Sequence, residues 1–176
     1  MMAFGEHKLI PDLVPDDFRF FFEHYDTVGA EANATLESVE KVGSDNGVDT
    51  IKAVARAPWP IYYRIMFSTR YLELDLDGGH MILFSGAGND QYLNDPACYT
   101  AKEKADYVLA TLHLTGWWAK PVKNEAGSVI GTHLLYFSQV DAGGSIPTFV
   151  QNSQGPKTAL NSLKGCVDWV RSHKQA

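Results

Sequence analysis

The chain has 176 residues, of which 45% are hydrophobic and 20% are charged, values typical of one globular domain that can build a sizeable core. The formal net charge is -6 and the Lys and Arg residues are scattered, which argues against a nucleic-acid partner. The longest apolar stretches are far shorter than the roughly 20 residues that cross a bilayer, and the N-terminus does not have the pattern of a signal peptide. We therefore predict a single cytoplasmic domain over residues 1–176.

The first predicted elements are helices. A Pro-Asp-Asp start is followed by Phe18, Phe21 and Phe22 at helical spacing, and the Ala-rich residues 28–36 allow a second short helix. Residues 42–48 have the composition of a turn. We expect the phenylalanines to form the face by which the first helix packs.

From Asp49 onward the pattern predicts strands. Segments rich in β-branched and aromatic residues are separated by turn residues, which indicates an antiparallel meander. The polar residues 88–104 are expected to be irregular, and further strands follow them. The strand segments read "TIKAVARA", "YYRIMFSTRYLEL", "HMILFSG", "DYVLATLHLTGWWAKPV" and "VIGTHLLYFSQV".

The last predicted element is one long amphipathic helix over residues 146–174, because apolar residues recur there at steps of three and four. Gly155 and Pro156 are expected to kink it. Just before it, Gly143 and Gly144 allow the abrupt reversal that would lay the helix across the sheet. This order of elements indicates an α+β fold with helices on one face of an antiparallel sheet.

No pattern of catalytic or metal-binding residues stands out. The six histidines are dispersed, and Cys98 and Cys166 belong to no ligand pattern. We therefore predict no catalytic residue, no metal site and no cofactor. The chain is instead rich in aromatic residues, with 9 Phe, 8 Tyr and 4 Trp. These residues suit an ordinary core, and they equally suit the lining of a cavity for an apolar ligand.

Three segments resemble the steroidogenic acute regulatory protein-related lipid-transfer (START) domain: "APWPIYYR", "HMILFSG" and, above all, "LLYFSQVDAGGSIPTFVQN". In the last of these, Asp141, Gly143, Gly144, Ile146 and Pro147 match the family pattern of a strand, a glycine turn and a lid helix. The resemblance covers most of the chain. It implies the helix-grip fold, in which a curved antiparallel sheet wraps around a long C-terminal helix and encloses a hydrophobic tunnel for one lipid.

The chain departs from the family pattern in three places. Ile65 stands where the family has Asp after the Arg of the PWPxxxR motif, and a Trp-Asp pair expected near residue 32 is absent. Little sequence precedes Pro15, so the resemblance predicts that the first strands of the family fold are largely missing. An exposed sheet edge would result, and a second copy of the chain, a membrane or another protein could cover it.

The resemblance implies a non-enzymatic carrier that binds one lipid or sterol, contacts membranes transiently, and transfers or presents the ligand. The C-terminal helix and the 75–79 loop would gate the tunnel. Strand register is open by one residue, which would exchange the inward and outward sets. The predicted ligand contacts are Met66, Arg70, Leu83, Leu109, Leu134, Tyr136, Phe149, Val150 and Leu163, and the predicted gate and hinge residues are Asp75, Gly78, Gly79, Gly143, Gly144, Gly155 and Pro156.

Two other functions stay open at this point. An aromatase/cyclase-like enzyme of the wider helix-grip superfamily would need an acid–base residue in the cavity, and His133 and Tyr136 are the candidates. A ligand-free regulatory or interaction module would instead have its cavity filled by side chains of residues 81–84 and 134–137. The lipid itself could be a phospholipid, a sterol, a ceramide or a carotenoid.

Overall fold

Strands make up most of the chain. A computed structural model of the protein describes residues 2–57, 61–86, 90–144, 146 and 148–174, without the side chains of residues 148–156. In chain order the elements are β1 (Met2–Ile10), a short 3-10 helix (Pro15–Phe18), α1 (Arg19–Glu23), α2 (Tyr25–Ala32), β2 (Leu36–Asp45), β3 (Val48–Ala55), β4 (Arg64–Leu76), β5 (Gly79–Ser85), α3 (Asp90–Asn94), α4 (Ala101–Asp106), β6 (Val108–Leu109), β7 (Thr111–Lys123), β8 (Val129–Asp141) and α5 (Thr148–His173).

The strands form one sheet in the order β1-β8-β7-β5-β4-β3-β2. Neighbours along this path are antiparallel, and the short β6 pairs in parallel with the start of β4. Several pairs shift register at bulges, and bulges bend the strands that contain them. The predicted α+β architecture with an antiparallel sheet and a long C-terminal helix is confirmed.

The core lies between the inner face of the sheet and the helices. On α5, Leu163, Val167 and Val170 recur at helical spacing and are buried. Burying one such side chain stabilises the fold by roughly 1.5–3 kcal/mol. In the described part of the chain, no helix has both the length and the apolar character required to cross a bilayer.

Two strands were not predicted from the sequence. The residues of β1 are mostly exposed and show little alternation of apolar and polar side chains, so the sequence gives little sign of a strand. The strand forms by antiparallel pairing with β8. β2 runs through Asp45, so the turn expected over residues 42–48 is confined to Asn46 and Gly47, which both have positive φ. A two-residue Asn-Gly turn matches the twist of a hairpin, and this explains why the strands extend so far into the polar segment.

The outer face of β3 and β4 is also covered. Residues expected to be irregular form α3 and α4 instead, and Tyr99 beside them packs on Ile65 and Phe67 in a second small core. Lys52 ties α4 to the sheet, because its Nζ lies 2.8 Å from Glu103 and 2.7 Å from Glu40. Apolar packing of Tyr99 and the ion pairs of Lys52 therefore both hold the α3–α4 segment on the outer face of the sheet.

Arg70 joins the first helices to the sheet. Its guanidinium lies 2.9 Å from Asp26 of α2 and 2.5 Å from Asp49 of β3, and it also donates to the Glu23 carbonyl at 3.0 Å. Lys41 pairs with the same Asp49 at 2.7 Å. The cation is largely buried and contacts two carboxylates, so its role in the fold is to fix α2 on β3 and β4.

Gly165 of α5 lies where a side chain would not fit, because a Cβ there would stand 1.9 Å from the Ala32 carbonyl oxygen of α2. Alanine normally stabilises a helix by about 1 kcal/mol relative to glycine, but at this position its methyl group must displace backbone. We expect Gly165→Ala to lower the free energy of unfolding by about 1–3 kcal/mol in urea denaturation. Asn161→Ala, at an exposed position of α5, should leave the free energy of unfolding equal or raise it by about 0.5 kcal/mol. Equal stabilisation by both variants would contradict the close approach of α5 and α2.

Asp49 should make stability depend on pH. Burial alone would raise its pKa, but hydrogen bonds from Lys41, Ser44 and Arg70 outweigh burial and hold the pKa below the ordinary value of 3.8. The stabilisation is therefore present above the unfolded pKa and is lost as the pH falls, from about pH 5 downward. We expect Asp49→Asn to lose less unfolding free energy than the wild type between about pH 5 and pH 3, as measured by denaturant titrations at each pH. Asp106→Asn removes an exposed carboxylate outside the described ion pairs and should lose as much as the wild type. An equal loss in Asp49→Asn and the wild type would contradict a stabilising role for the contacts of Asp49 with Lys41 and Arg70.

Candidate functional site

A cavity of about 250 Å³ lies between the inner face of the sheet and the helices α2 and α5. Its wall is mostly apolar, with hydroxyl groups, one amide and two arginines. Because strand side chains alternate between faces, alternate residues at the start of β4 and in the second half of β8 contribute to it. The wall includes Tyr25, Asn33, Thr35, Leu36, Ile51, Ala53, Ala55, Arg56, Arg64, Met66, Ser68, Phe84, Leu112, Thr115, Trp117, Tyr136, Ser138, Val140, Thr158 and Ser162.

Aromatic rings form the deep end. The Trp117 ring lies 4.8 Å from Tyr136 and 5.2 Å from Tyr25, and Tyr25 lies 5.0 Å from Phe84, as measured between ring centroids. Burial raises the pKa of Tyr25 far above its ordinary value, so its phenol stays neutral. The indole Nε1 of Trp117 is buried and has no acceptor among the described residues.

The polar groups of the wall are mostly satisfied by neighbours. Thr115 donates to the Phe137 carbonyl at 3.0 Å, and its hydroxyl lies 3.5 Å from the Tyr136 hydroxyl. The Asn33 amide donates to the Ser162 hydroxyl of α5 at 3.2 Å. These bonds hold the wall together without placing a charge in it.

Two arginines mark the open end of the cavity, where Ile61 and Ala142 are partly exposed. Arg56 is exposed and pairs with Glu37 at 2.7 Å. Arg64 is only 7% exposed. Burial lowers its pKa, which is the effect expected of a cation removed from water.

Arg64 holds the chain segments on either side of the opening. Its Nε donates to the Ala142 carbonyl at 3.0 Å, its Nη2 donates to the Gly143 carbonyl at 3.4 Å, and its Nη1 donates to the Tyr62 carbonyl. Gly143 and Gly144 have φ of 62° and 63°, values that favour glycine. The glycine turn between β8 and α5 therefore lies against Arg64 at the opening.

Among the predicted contact residues, Met66 and Tyr136 line the cavity. Arg70 shares the inner face of β4 with Met66, but its guanidinium is held by Asp26 and Asp49 and it does not belong to the described lining. Leu134 and Leu163 are buried in the core beside the cavity rather than in its wall.

Two predicted contacts lie on the other side of the sheet. Ile82 and Phe84 point inward from β5, so Leu83 between them points outward. Leu109 is 40% exposed, and Ala110 is buried instead. In both cases the register differs by one residue from the predicted one, which reverses the face. The side chains of Phe149 and Val150 lie outside the described residues, as do those of Gly155 and Pro156, although α5 continues through that segment.

The predicted gate divides into two separate places. Asp75, Gly78 and Gly79 form the turn between β4 and β5, at the opposite end of β4 from Arg64. A Cβ at Gly79 would lie 2.3 Å from the Ala119 carbonyl oxygen of β7, so the turn packs closely against β7. The described cavity wall does not include this turn. The glycine turn at residues 143–144 is the part that adjoins the opening.

The residues that sequence reasoning missed are chiefly Arg64 and the aromatic deep end. Met66 was predicted to face inward, and period-two alternation from it would have assigned Arg64 and Ser68 to the same face. Trp117 had no comparable signal, because "GWWAKPV" offers aromatic residues to both faces of β7.

One cluster offers the geometry of a metal site, since ligand atoms of Asp16, Asp75 and His80 lie within 4.8 Å of one another. Both ring nitrogens of His80 are already engaged: Nε2 lies 2.8 Å from Asp16, and Nδ1 accepts from the Asp75 backbone N–H at 3.2 Å. This buried histidine therefore fastens the β4–β5 turn to the 3-10 helix.

No family model matches the sequence, and no curated protein matches it. Similarity is found among solved structures. The human StAR-related lipid transfer protein 5 superposes with a TM-score of 0.71 at 15% identity, over 98% of this chain and 76% of that one. Human STARD10 superposes with a TM-score of 0.66 at 18% identity, and the chain covers 66% of its length.

The aromatase/cyclase Zhui from a Streptomyces species also superposes, with a TM-score of 0.58 at 11% identity, over 100% of this chain and 98% of that one. At such identities the likeness establishes the fold, and two further StAR-related structures give the same result. The chain has a START-like, helix-grip fold.

Proposed function

We propose that the protein binds one lipid or sterol in the cavity between the sheet and α5 and carries or presents it. The proposal depends chiefly on the cavity itself, whose wall is mainly apolar and whose deep end is aromatic. Transfer of apolar surface from water into such a site is favourable by about 25 cal/mol per Å². Two structural neighbours are lipid-transfer proteins by name, the human StAR-related lipid transfer protein 5 and a STAR-related lipid transfer protein from Xanthomonas axonopodis, which supports the same function.

The cavity volume favours a small lipid. At about 250 Å³ it lies just below the roughly 300–1,000 Å³ of typical ligand pockets. A lipid with one chain, or a compact ring system, suits this space better than a phospholipid with two chains. Ligand contacts would come from Met66 and Tyr136, with Phe84 and Trp117 at the deep end.

The opening beside Arg64 is the proposed gate. The glycine turn at residues 143–144 leads from β8 into α5, so a change of backbone angles there would lift the start of the helix. Tyr62 is 66% exposed next to this opening, and an exposed tyrosine suits a transient contact with a membrane interface. We assign this carrier to the cytoplasm. That a second copy of the chain, or another partner, covers a sheet edge stays a prediction.

The aromatase/cyclase alternative rests on two neighbours, Zhui and the di-domain ARO/CYC protein BexL, and on the Tyr136–Thr115 pair in the wall. His133 does not support it, because its imidazole lies 3.0 Å from Glu6 and outside the described wall. That wall, as far as its residues are described, contains no His, Asp, Glu, Cys or Lys. Acid–base chemistry would have to come from the wall tyrosines Tyr25 and Tyr136, so the carrier is the better-supported function, and the open space argues against a filled module.

Filling the cavity tests this proposal. Ala53 lines the wall, and Ala53→Trp should occupy space that the ligand needs. We expect the neutral fluorophore 1-N-phenylnaphthylamine to bind the wild type with saturation at one site, and Ala53→Trp to weaken binding at least about tenfold, or 1.4 kcal/mol. Ala105→Trp, at an exposed position of α4, should bind like the wild type. Non-saturable binding, or equal affinity in all three proteins, would refute a specific cavity.

A further inference from the structure

Among the described residues, Lys52, Arg64 and Arg70 are largely buried cations with long side chains, and they differ in their partners. Lys52 contacts two carboxylates, those of Glu40 and Glu103. Arg70 also contacts two, those of Asp26 and Asp49. Arg64 contacts none: every Asp and Glu of the chain lies in the described ranges, and none forms an ion pair with it. It is also the one of the three that lines the cavity.

The present partners of Arg64 are three backbone carbonyls, those of Tyr62, Ala142 and Gly143. A guanidinium has five N–H donors, so two remain without a described acceptor. Carbonyl dipoles stabilise a buried cation only in part, because a full opposite charge is needed to offset the loss of hydration. The wall therefore contains an uncompensated positive charge at its open end.

The chemistry that completes such a site is an anion with two oxygens. Carboxylates and phosphates match the planar fork of arginine and form charge-assisted hydrogen bonds, which are stronger than neutral ones. Arg56 does not offer the same site, because it is exposed and already pairs with Glu37. The remaining polar groups of the described wall are hydroxyls and amides without charge.

We propose that Arg64 binds the anionic head group, a carboxylate or phosphate, of a lipid with a single chain whose tail extends toward Phe84 and Trp117. The inference rests on the proposed function, because it takes the same cavity and names the class of lipid. It follows from an unpaired charge at one end of the cavity and aromatic rings at the other. Ligand binding would also compete for Arg64 with the carbonyls of the glycine turn, and so would couple head-group binding to the gate.

Ligands matched in chain length test the proposal in the wild-type protein. Dodecanoic acid, dodecyl phosphate and dodecan-1-ol are compared by displacement of 1-N-phenylnaphthylamine at neutral pH. Hydrogen bonds to a charged group are stronger than those between neutral groups, so we expect at least one anion to bind about 10–100-fold more tightly than the alcohol. The two anionic arms distinguish a carboxylate from a phosphate. Equal affinity of the alcohol and both anions would overturn the inference and leave the carrier proposal intact, whereas absence of all binding would overturn the carrier proposal.

Variants then assign the preference to Arg64. Arg64→Gln should abolish the anion preference, measured as the ratio of the anion and alcohol affinities, and Arg64→Lys should keep part of it because the charge remains. Arg19→Gln removes an exposed arginine of α1 outside the described wall; it is the control and should keep the full preference. Because Arg64 also holds the glycine turn, thermal unfolding is recorded for each variant. A preference that survives in folded Arg64→Gln, or is lost in Arg19→Gln, would contradict the assignment.

Discussion

The packing of α5 against the inner face of the sheet is the constraint on which the rest of the structure depends. Glycines allow the helix to lie close to its neighbours. A Cβ at Gly5 of β1 would lie 2.6 Å from the Leu163 side chain of α5, and a Cβ at Gly165 of α5 would meet the backbone of α2. Toward its N-terminal half the same helix presents the small Thr158 and Ser162 to the cavity. Close contact at one end and small residues at the other leave an internal space that side chains do not fill.

The buried cations also differ in how their charge is compensated. The ion-paired Lys52 and Arg70 fasten helices to the sheet, and their carboxylate partners offset the loss of hydration. Among the described residues Arg64 has only carbonyl partners, and it lies where β8 turns toward α5. One residue thus joins the opening of the cavity, the turn that could move, and an unmatched charge. A head group that binds there would act on the turn directly.

Much of the fold followed from the sequence, because period-two strands and a long amphipathic helix are strong local signals. The strand register was left open by one residue. Met66 and Tyr136, which the resemblance implied as ligand contacts, lie on the inner face, whereas Leu83 is one position off because "HMILFSG" is apolar on both faces. The partners of Arg70 could not be predicted, since Asp26 and Asp49 lie 44 and 21 residues away along the chain. Tertiary contacts of this kind decide whether a basic strand residue serves the fold or the cavity.

Native mass spectrometry of the purified protein, followed by solvent extraction and identification of any bound lipid, tests the central claim most directly. We expect one lipid per protein molecule, with a single acyl or alkyl chain and an acidic head group. A ligand-free mass, unchanged after incubation with liposomes of mixed neutral and anionic lipids, would contradict it and would leave the protein with the fold of a lipid carrier but without the activity.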